Sequence, residues 1–203
     1  MGCRTLVIAH GKSELIMVKD IASRMRMDIE TFSWDGGQRS IKLEHISDVL
    51  RTPPFESEMS LKRFFPRLEY RSGKGVRMPN LKIFPIMDRD GDDIRDGAYI
   101  SGDMFRDSPF FGRIIPIFNI DNLDIVLEGC GYGKVEDKMR FYRKTFSTID
   151  VTDLYNRLRE SYSTNLDVFL YHCMQHCPPF QGSISSGQIS PPTGLSKDRL
   201  KGS

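Results

Sequence analysis

Two clusters of polar residues each follow directly after a short apolar run in the sequence. The first is HGKSE at residues 10–14, which follows TLVIA, and the second is DRDGDD at residues 88–93, which follows LKIFPIM. Short apolar runs of this kind are typical of buried parallel strands. Because reactive groups collect at the edge of a sheet where the carboxyl ends of parallel strands meet, we expect the two clusters to lie near each other.

The acidic cluster has the residue types of a magnesium site. In an extended strand end Asp88 and Asp90 point to the same side, since side chains repeat every two residues. Two carboxylates so placed can share Mg²⁺ or Mn²⁺, and a solvated acidic turn is the alternative. An EF-hand is excluded, because Gly91 stands at loop position 4 instead of 6 and Tyr99 stands where that loop needs Glu.

The first cluster differs from a P-loop. GKS at residues 11–13 matches the end of that motif, but Leu6 stands where the motif requires its first Gly. What remains is a strand, a Gly turn and a helix N-terminus, whose exposed amides can hold a phosphate. Glu14 in the first helical turn either takes part in the chemistry or only favours the helix dipole. The candidates for phosphate or substrate binding are Gly11, Lys12, Ser13 and Arg89.

The pair of clusters resembles the Toprim domain, the metal-binding fold of topoisomerases, primases, and OLD-family and RloB-like nucleases. Toprim proteins carry a strand ending in Glu-Gly, a helix, and later a strand ending in Asp-x-Asp; here LVIAHGKSE and FPIMDRD stand in that order. The stretches NIDNLDIVLEGCGY and FYRKTF are similar to the C-terminal part of RloB-like chains, so the resemblance covers about residues 4–145. It implies a Mg²⁺-dependent nuclease acting on DNA or RNA, with a role in phage defence.

One position departs from the Toprim pattern, because His10 stands where the family has its first-strand Glu. That Glu is implied to bind metal or to act as a general acid or base. An imidazole can also transfer protons; alternatively Glu14 takes the missing role, or the site has lost catalysis. Glu128 could complete the metal shell, unless it pairs with a nearby Arg or Lys. The catalytic candidates are His10, Glu14, Asp88 and Asp90, and the metal-ligand candidates are Asp88, Asp90, Glu14 and Glu128.

The elements around these clusters alternate in type. Strands are predicted at residues 5–9, 28–34, 81–87 and 113–120, and helices at 14–25, 41–50, 94–104, 135–146, 151–162 and 166–176. Residues 123–127 fit either a strand or a helix. This order is typical of an α/β domain with a mostly parallel sheet. We therefore predict a Toprim-like, Rossmann-related domain over residues 1–177, with its core at about 4–145 and added C-terminal helices at about 150–177.

The C-terminal part of the sequence changes character twice. HCMQHC at residues 172–177 has the residue types of a zinc cluster, but on a helix its His pair and its Cys pair lie about 100° apart. A structural zinc needs four ligands, so a terminal helix with buried Cys is the preferred interpretation. Residues 178–203 are rich in Ser, Gly and Pro with almost no large apolar residues, and we predict a disordered tail there.

Composition limits the class of protein. The chain has 203 residues, of which 39% are hydrophobic and 28% charged, and this fits a single domain with a substantial core. A formal net charge of +2 excludes a polybasic binder, so any nucleic-acid contact must come from local patches. The sequence has no run of 18 apolar residues, and the apolar stretch before His10 is too short for a signal peptide. We expect a cytoplasmic protein with reduced cysteines that does not enter a membrane.

Two basic segments could contact nucleic acid. Residues 62–77 combine Lys and Arg with interleaved aromatic residues, and residues 138–144 form a second basic group. For each segment taken alone, a solvated surface is the more common interpretation. The leading hypothesis is the nuclease, and the alternative is a catalytically silent module that binds nucleic acid or a partner ATPase as a sensor or regulator. An enzyme acting on small nucleotides is a third hypothesis, and a homo-oligomer is left open.

Overall fold

A four-stranded parallel sheet forms the centre of the protein. The structure is a computed structural model that describes residues 3–89, 93–134 and 137–192. The strands lie in the order β2-β1-β5-β6, which are Ile29–Phe32, Thr5–Ala9, Lys82–Asp88 and Ile117–Asn119. All three pairings are parallel, with Ile8 opposite Phe32 and Ala9 opposite Ile86. The prediction of an α/β domain with a parallel sheet is therefore confirmed.

Helices flank this sheet, and a short hairpin lies apart from it. The helices are α1 (Lys12–Met25), α2 (Ile46–Val49), α3 (Glu58–Phe64), α4 (Asp93–Ser101), α5 (Leu123–Gly129), α6 (Lys138–Thr148), α7 (Val151–Glu160), α8 (Leu166–Gln175) and α9 (Pro178–Ser185). The hairpin pairs β3 (Arg71–Gly73) with β4 (Gly75–Arg77) in antiparallel fashion. None of the helices in the described part of the chain is long and apolar enough to cross a membrane.

The sheet buries apolar side chains on both of its faces. Successive side chains of β1 point to opposite faces of the sheet, as the two-residue period of a strand requires. Val7 packs in one core, and Leu6 and Ile8 pack in the other. The first core is completed by α1 and the helices from α5 to α9, and the second mainly by residues 41–68 and α4. Since both faces are covered, the ends of the central strands are held in place.

Pro85 lies inside a central strand, where a missing amide is usually costly. The hydroxyl of Tyr99 lies 2.7 Å from the Pro85 carbonyl oxygen and 2.9 Å from that of Ile117. It reaches the strand pair from α4 at a point where the neighbouring strand is itself interrupted by Pro116. Strand β6 therefore does not need an N–H group at position 85, and the Tyr99 hydroxyl lies within hydrogen-bonding distance of both carbonyl oxygens.

Ordered structure continues beyond the predicted boundary at residue 177. The segment from Pro178 to Ser185 is α9, whose prolines occupy the first helical positions, where a missing N–H costs nothing. Phe180 and Ile184 pack against the core, and Ile189 is buried within it. These few apolar residues find a ready-made surface on the domain, so the prediction of disorder from residue 178 is wrong for this part. Residues 193–203 lie outside the described residues.

Two other elements are shorter than predicted. The helix expected at residues 41–50 is a 3₁₀ turn at Leu43–His45 followed by the single turn of α2, although its apolar residues are buried as the pattern requires. The strand expected at residues 113–120 is reduced to β6 and one bridge at Ile114, because Pro116 interrupts the ladder. Residues 123–127 belong to helix α5.

Candidate active site

Strands β1, β5 and β6 bring polar side chains to one end of the sheet, called here the carboxyl edge. His10 follows β1, and its backbone N–H donates to the Ile86 carbonyl at 3.1 Å. Asp88 ends β5, and its Oδ2 lies 3.8 Å from Nε2 of His10. Asn119 ends β6 and donates from Nδ2 to Oδ1 of Asp88 at 3.1 Å. The two polar clusters of the sequence therefore lie side by side.

The N-terminus of α1 brings Glu14 to the same edge. Gly11 is the N-cap residue, and its backbone N–H donates to Oε2 of Glu14 at 2.9 Å, so this carboxylate folds back over the start of the helix. The turn at Gly37 packs on the same backbone: a Cβ there would lie 2.9 Å from Cα of Lys12, and φ is +85°. Only Gly suits that position, so the following residues are held against the start of α1.

Glu14 is a buried acid among other acids. Its side chain belongs to a residue only 3% exposed. Burial raises the pKa of Glu14 to about 7, and the negative charges of Asp88 and Asp124 act in the same direction, whereas the N–H of Gly11 opposes them. Glu14 therefore changes its protonation state near neutral pH, which is the property expected of a group that moves a proton during catalysis.

Asp124 is a third carboxylate at this edge, and sequence reasoning missed it. It lies in the first turn of α5, where its Oδ1 accepts from the Tyr142 hydroxyl at 2.5 Å and its Oδ2 pairs with Nζ of Lys138 at 2.6 Å. The hydrogen bond and the charge of Asp124 raise the pKa of Lys138, with Glu14 and Asp88 contributing. The available signal was the motif DNLD at residues 121–124, directly after a predicted strand and at the same edge of the sheet.

These side chains surround a cavity of about 150 Å³, called here the acidic pocket. Its floor is the end of β1 and β5, and its walls are the first turns of α1, α5 and α6. The lining residues are His10, Gly11, Lys12, Ser13, Glu14, Ser40, Asp88, Asn122, Leu123, Asp124 and Lys138. Five predicted site residues, those at positions 10–14, and the predicted Asp88 therefore share one pocket.

Two other predicted site residues that the structure describes, Arg89 and Glu128, do not line the acidic pocket. The Nε of Arg89 donates to Oδ2 of the buried Asp96 at 2.5 Å, so this guanidinium is directed to α4 and not to a substrate. Glu128 is exposed on α5, one helical turn beyond Asp124, and does not line the pocket. Because this segment is a helix, Glu128 lies one turn, about 5.4 Å, further along the helix axis than Asp124. Asp90 lies outside the described residues.

The two basic segments lie at different places. Residues 62–77 include the end of α3 and the hairpin, and the bridge between Leu68 and Cys3 puts them beside the start of β1, away from the acidic pocket. There Nζ of Lys62 lies 3.4 Å from the centre of the Tyr70 ring. The second segment is α6, which supplies Lys138 to the acidic pocket. Of the two, only α6 places a basic side chain at the candidate site.

The donor set can be compared with the needs of Mg²⁺ or Mn²⁺. Within the described ranges, no group of three or more His, Cys, Asp or Glu side chains is arranged to hold a metal ion. The oxygens of Asp124 contact Tyr142 and Lys138, while those of Asp88 contact Asn119 and His10 and Oε2 of Glu14 accepts from the Gly11 amide. Mg²⁺ commonly binds through one or two carboxylates and keeps several waters, so the hard oxygen donors of this pocket are of the kind that it prefers.

Comparison of the chain with protein-family models, with curated proteins and with solved structures gave no match. The likeness to Toprim domains therefore stays a prediction drawn from two sequence motifs and their order.

Proposed function

We propose that this protein is a nuclease that uses Mg²⁺ or Mn²⁺ to cleave phosphodiester bonds of DNA or RNA at the acidic pocket. The observation that carries the proposal is that Glu14 and Asp88 lie in one small pocket whose burial and negative charge raise the pKa of Glu14 to about 7. Such a carboxyl group can give or take a proton at the pH of a cell. The three carboxyl groups of the pocket, which face Lys12 and Lys138, also offer the oxygen ligands that a divalent cation prefers.

Each side chain of the pocket has a role in this proposal. Asp88 would hold the cation, with Asp90, outside the described residues, as the further ligand that the sequence predicts, and Glu14 would move a proton beside it. A bound divalent cation lowers the pKa of a water molecule and stabilises negative charge on the phosphate. His10, with Nε2 3.8 Å from Asp88, would orient that carboxylate and pass a proton. Lys138 would neutralise charge on the substrate side.

The basis for a role of His10 is its unsatisfied ring nitrogen. Its Nδ1 is buried and has no hydrogen-bond partner among the described residues, while Nε2 faces Asp88. A purely structural His at a strand end would be expected to satisfy its buried nitrogen. The substitution of the Toprim Glu by His10 is therefore compatible with a proton-transfer role. A function in phage defence rests on the resemblance alone and stays a prediction.

The experiment is cleavage of end-labelled single- and double-stranded DNA and RNA in the presence of Mg²⁺, Mn²⁺ or EDTA. Asp88→Asn is the test variant, because it removes the charge and keeps the side-chain size. Asp107→Asn is the matched control, since Asp107 is an exposed residue paired with Arg51 away from the pocket. We expect metal-dependent cleavage by the native protein and by Asp107→Asn, and its loss in Asp88→Asn. Cleavage that survives EDTA, or that Asp88→Asn retains, would contradict the proposal.

A catalytically silent nucleic-acid-binding module is the second candidate. It is favoured by the capping role of Glu14, whose Oε2 is held by the Gly11 amide, and by the lack of a three-donor metal group within the described ranges. Such a module would bind labelled strands with the same affinity in Mg²⁺ and in EDTA and would cut none of them. Isothermal titration with Mn²⁺ separates the two candidates, because only the nuclease requires a metal site that Asp88→Asn removes.

A further inference from the structure

A second cavity, of about 270 Å³, lies at the end of strand β2 and is called here the aromatic pocket. It has an aromatic wall formed by Trp34 and His45, whose ring centres lie 6.3 Å apart at an angle of 39°. The guanidinium carbon of Arg39 lies 5.5 Å from the centre of the Trp34 ring. The full lining is Phe32, Trp34, Arg39, His45, Asp48, Val49, Thr52 and Pro53.

The aromatic pocket and the acidic pocket are neighbours at the same edge of the sheet. Strand β2 pairs with β1 in parallel, with Phe32 opposite Ile8, so the residues that follow these strands emerge side by side. The consecutive residues Arg39 and Ser40 line the aromatic pocket and the acidic pocket respectively. The next residue, Ile41, donates its backbone N–H to the His10 carbonyl at 2.8 Å. One ligand could therefore occupy both pockets.

We propose that the aromatic pocket binds one unpaired nucleobase of a nucleic-acid strand whose phosphate lies at the acidic pocket. This inference rests on the proposed nuclease function and specifies its substrate as a strand with an unpaired base. Indole and imidazole rings offer stacking surfaces to a base of any sequence. The oxygens of Asp48 and Thr52 at the rim can accept hydrogen bonds from base amino groups.

The size and charge of the aromatic pocket favour a base over other ligands. Sites for drug-sized molecules are roughly 300–1,000 Å³, so a cavity of about 270 Å³ suits a single ring system. A cationic ligand is disfavoured, because Arg39 already places its positive charge over the indole. That guanidinium is 72% exposed and pairs with Asp35 at 3.6 Å, an exposed ion pair of small energy, so its charge stays available to a strand phosphate from where it lies.

The test uses Trp34 as its own reporter, since it is the only tryptophan in the chain. Indole fluorescence is followed while adenosine 5′-monophosphate, cytidine 5′-monophosphate or ribose 5-phosphate is added, in EDTA so that no cleavage occurs. Free tryptophan amide corrects for light absorbed by the bases. We expect saturable quenching by both nucleotides and none by ribose 5-phosphate. Equal quenching by ribose 5-phosphate, or no saturable quenching by the nucleotides, would overturn the proposal.

Variants measured by calorimetry identify the wall that binds the base. Trp34→Ala should weaken nucleotide binding roughly 5- to 150-fold, the range of one lost base–aromatic stack, and Trp34→Phe should weaken it less. Arg39→Ala, at an exposed position where folding is not at risk, should also weaken it. Tyr162→Ala is the matched control, because Tyr162 is 72% exposed and lines neither pocket, and it should bind as the native protein does. Unchanged affinity in both Trp34→Ala and Arg39→Ala would refute the base site.

The same experiment separates failure of this inference from failure of the proposed function. A single-stranded oligonucleotide should displace the mononucleotide, whereas a fully paired duplex of the same sequence should not; equal competition by the duplex would contradict an unpaired base. Asp88→Asn should keep nucleotide binding and lose cleavage. Cleavage without nucleotide-dependent quenching would leave the nuclease and remove the base site. Quenching without any cleavage would keep the base site and remove the nuclease.

Discussion

The two ends of the central sheet both collect titratable side chains, yet they hold them in opposite states. At the carboxyl edge, Glu14, Asp88 and Asp124 share one pocket, and burial with like charges raises the pKa of Glu14 to about 7. Lys138 pairs with Asp124, and Lys12 brings a second positive charge to the lining of the pocket. This edge keeps charge and a group that titrates near neutral pH.

At the other end, called here the amino edge, Cys3, His172 and Cys177 are neutral groups with hydrogen-bond partners, beside ion pairs such as Arg4–Glu69. The thiol of Cys3 lies 3.0 Å from the Asp28 carbonyl oxygen, and that of Cys177 lies 3.2 Å from the Met25 carbonyl oxygen. Nε2 of His172 lies 3.1 Å from the Thr5 hydroxyl, and burial lowers its pKa to about 4. Cys173, Met174 and Cys177 of the HCMQHC motif therefore belong to the core, and within the described ranges no metal cluster forms there.

The difference teaches how to weigh reactive residue types in a sequence. Both HGKSE and HCMQHC contain groups capable of chemistry, and spacing alone does not rank them. What ranks them is whether the fold supplies neutral hydrogen-bond partners, as at the amino edge, or leaves charges facing one another, as at the carboxyl edge. The following predictions test this contrast.

The largest expected effect is on cleavage. Glu14→Gln removes the titrating group and keeps the acceptor for the Gly11 amide, so we expect the rate to fall about 10²–10⁴-fold, the usual contribution of a proton-transfer group. His172→Gln makes a comparable change at the amino edge and should leave the rate unchanged. Initial rates on the best labelled strand measure both. Equal losses in the two variants would abolish the distinction between the edges.

The second prediction concerns how the free energy of unfolding depends on pH. The pKa of Glu14 is raised from 4.5 to about 7 in the folded protein, so the folded state holds this proton more tightly than the unfolded chain. Protonated Glu14 therefore stabilises the folded protein fully below pH 4.5. This stabilisation is lost as pH rises to about 7, and the loss in the free energy of unfolding is at most about 3 kcal/mol. The pKa of His172 is lowered from 6.5 to about 4, so its contribution is present above pH 6.5 and is lost as pH falls towards 4.

The two edges therefore produce opposite slopes in nearly the same pH range, and single variants should separate them. In Glu14→Gln, which lacks the titrating carboxyl group, the free energy of unfolding should rise more steeply from pH 4.5 to 7. Without His172, in His172→Gln, that rise should weaken; His176, whose pKa is also lowered, continues to contribute in the same direction. Urea denaturation at several pH values measures each slope. A slope that Glu14→Gln leaves unaltered would show that the buried carboxyl group is not coupled to folding.

Much of this arrangement could be predicted from local sequence patterns. The apolar runs gave β1 and β5, the turn residues marked their ends, and parallel topology predicted that residues 10–14 would meet Asp88, as they do. The amphipathic spacing of residues 14–25 likewise matches α1. These features depend on periodicity over a few residues, which the sequence displays directly.

The rest depends on tertiary contacts that a local pattern does not contain. Asp124 joins the pocket because α6 brings Tyr142 and Lys138 to it from more than a dozen residues away. Glu128 looked equally suitable but lies one helical turn further on, and the choice between strand and helix for residues 123–127 decided its position. Ile189 is buried only because α8 and α9 offer it a surface, so composition alone could not show it.

The third prediction compares one hydrogen bond at each edge. Tyr142→Phe removes the donor to the charged Asp124 and should lower the free energy of unfolding by about 1.5–3 kcal/mol, the range for bonds to charged groups. Thr5→Val removes the hydroxyl that meets the neutral His172 ring and should cost only about 0.5–1.5 kcal/mol. Chemical denaturation at neutral pH gives both values. A larger loss in Thr5→Val than in Tyr142→Phe would mean that water or Lys138 replaces the hydrogen bond that Asp124 loses.

The smallest expected effect is on the thiols of the amino edge. Burial raises the pKa of Cys3 and of Cys177, and both residues are at most 3% exposed, so little thiolate exists at neutral pH and a reagent has little access to it. A chromogenic disulfide reagent should therefore react with neither in the folded protein, and with all four cysteines of the chain once urea unfolds it. Thiol release followed over time, with peptide mapping of the labelled sites, measures this. Rapid labelling of Cys3 or Cys177 in the folded state would show that the amino edge opens under native conditions. The thiols of the amino edge would then be accessible to solvent. The two edges would differ only in how deeply their side chains are buried, and not in the charge state of those side chains.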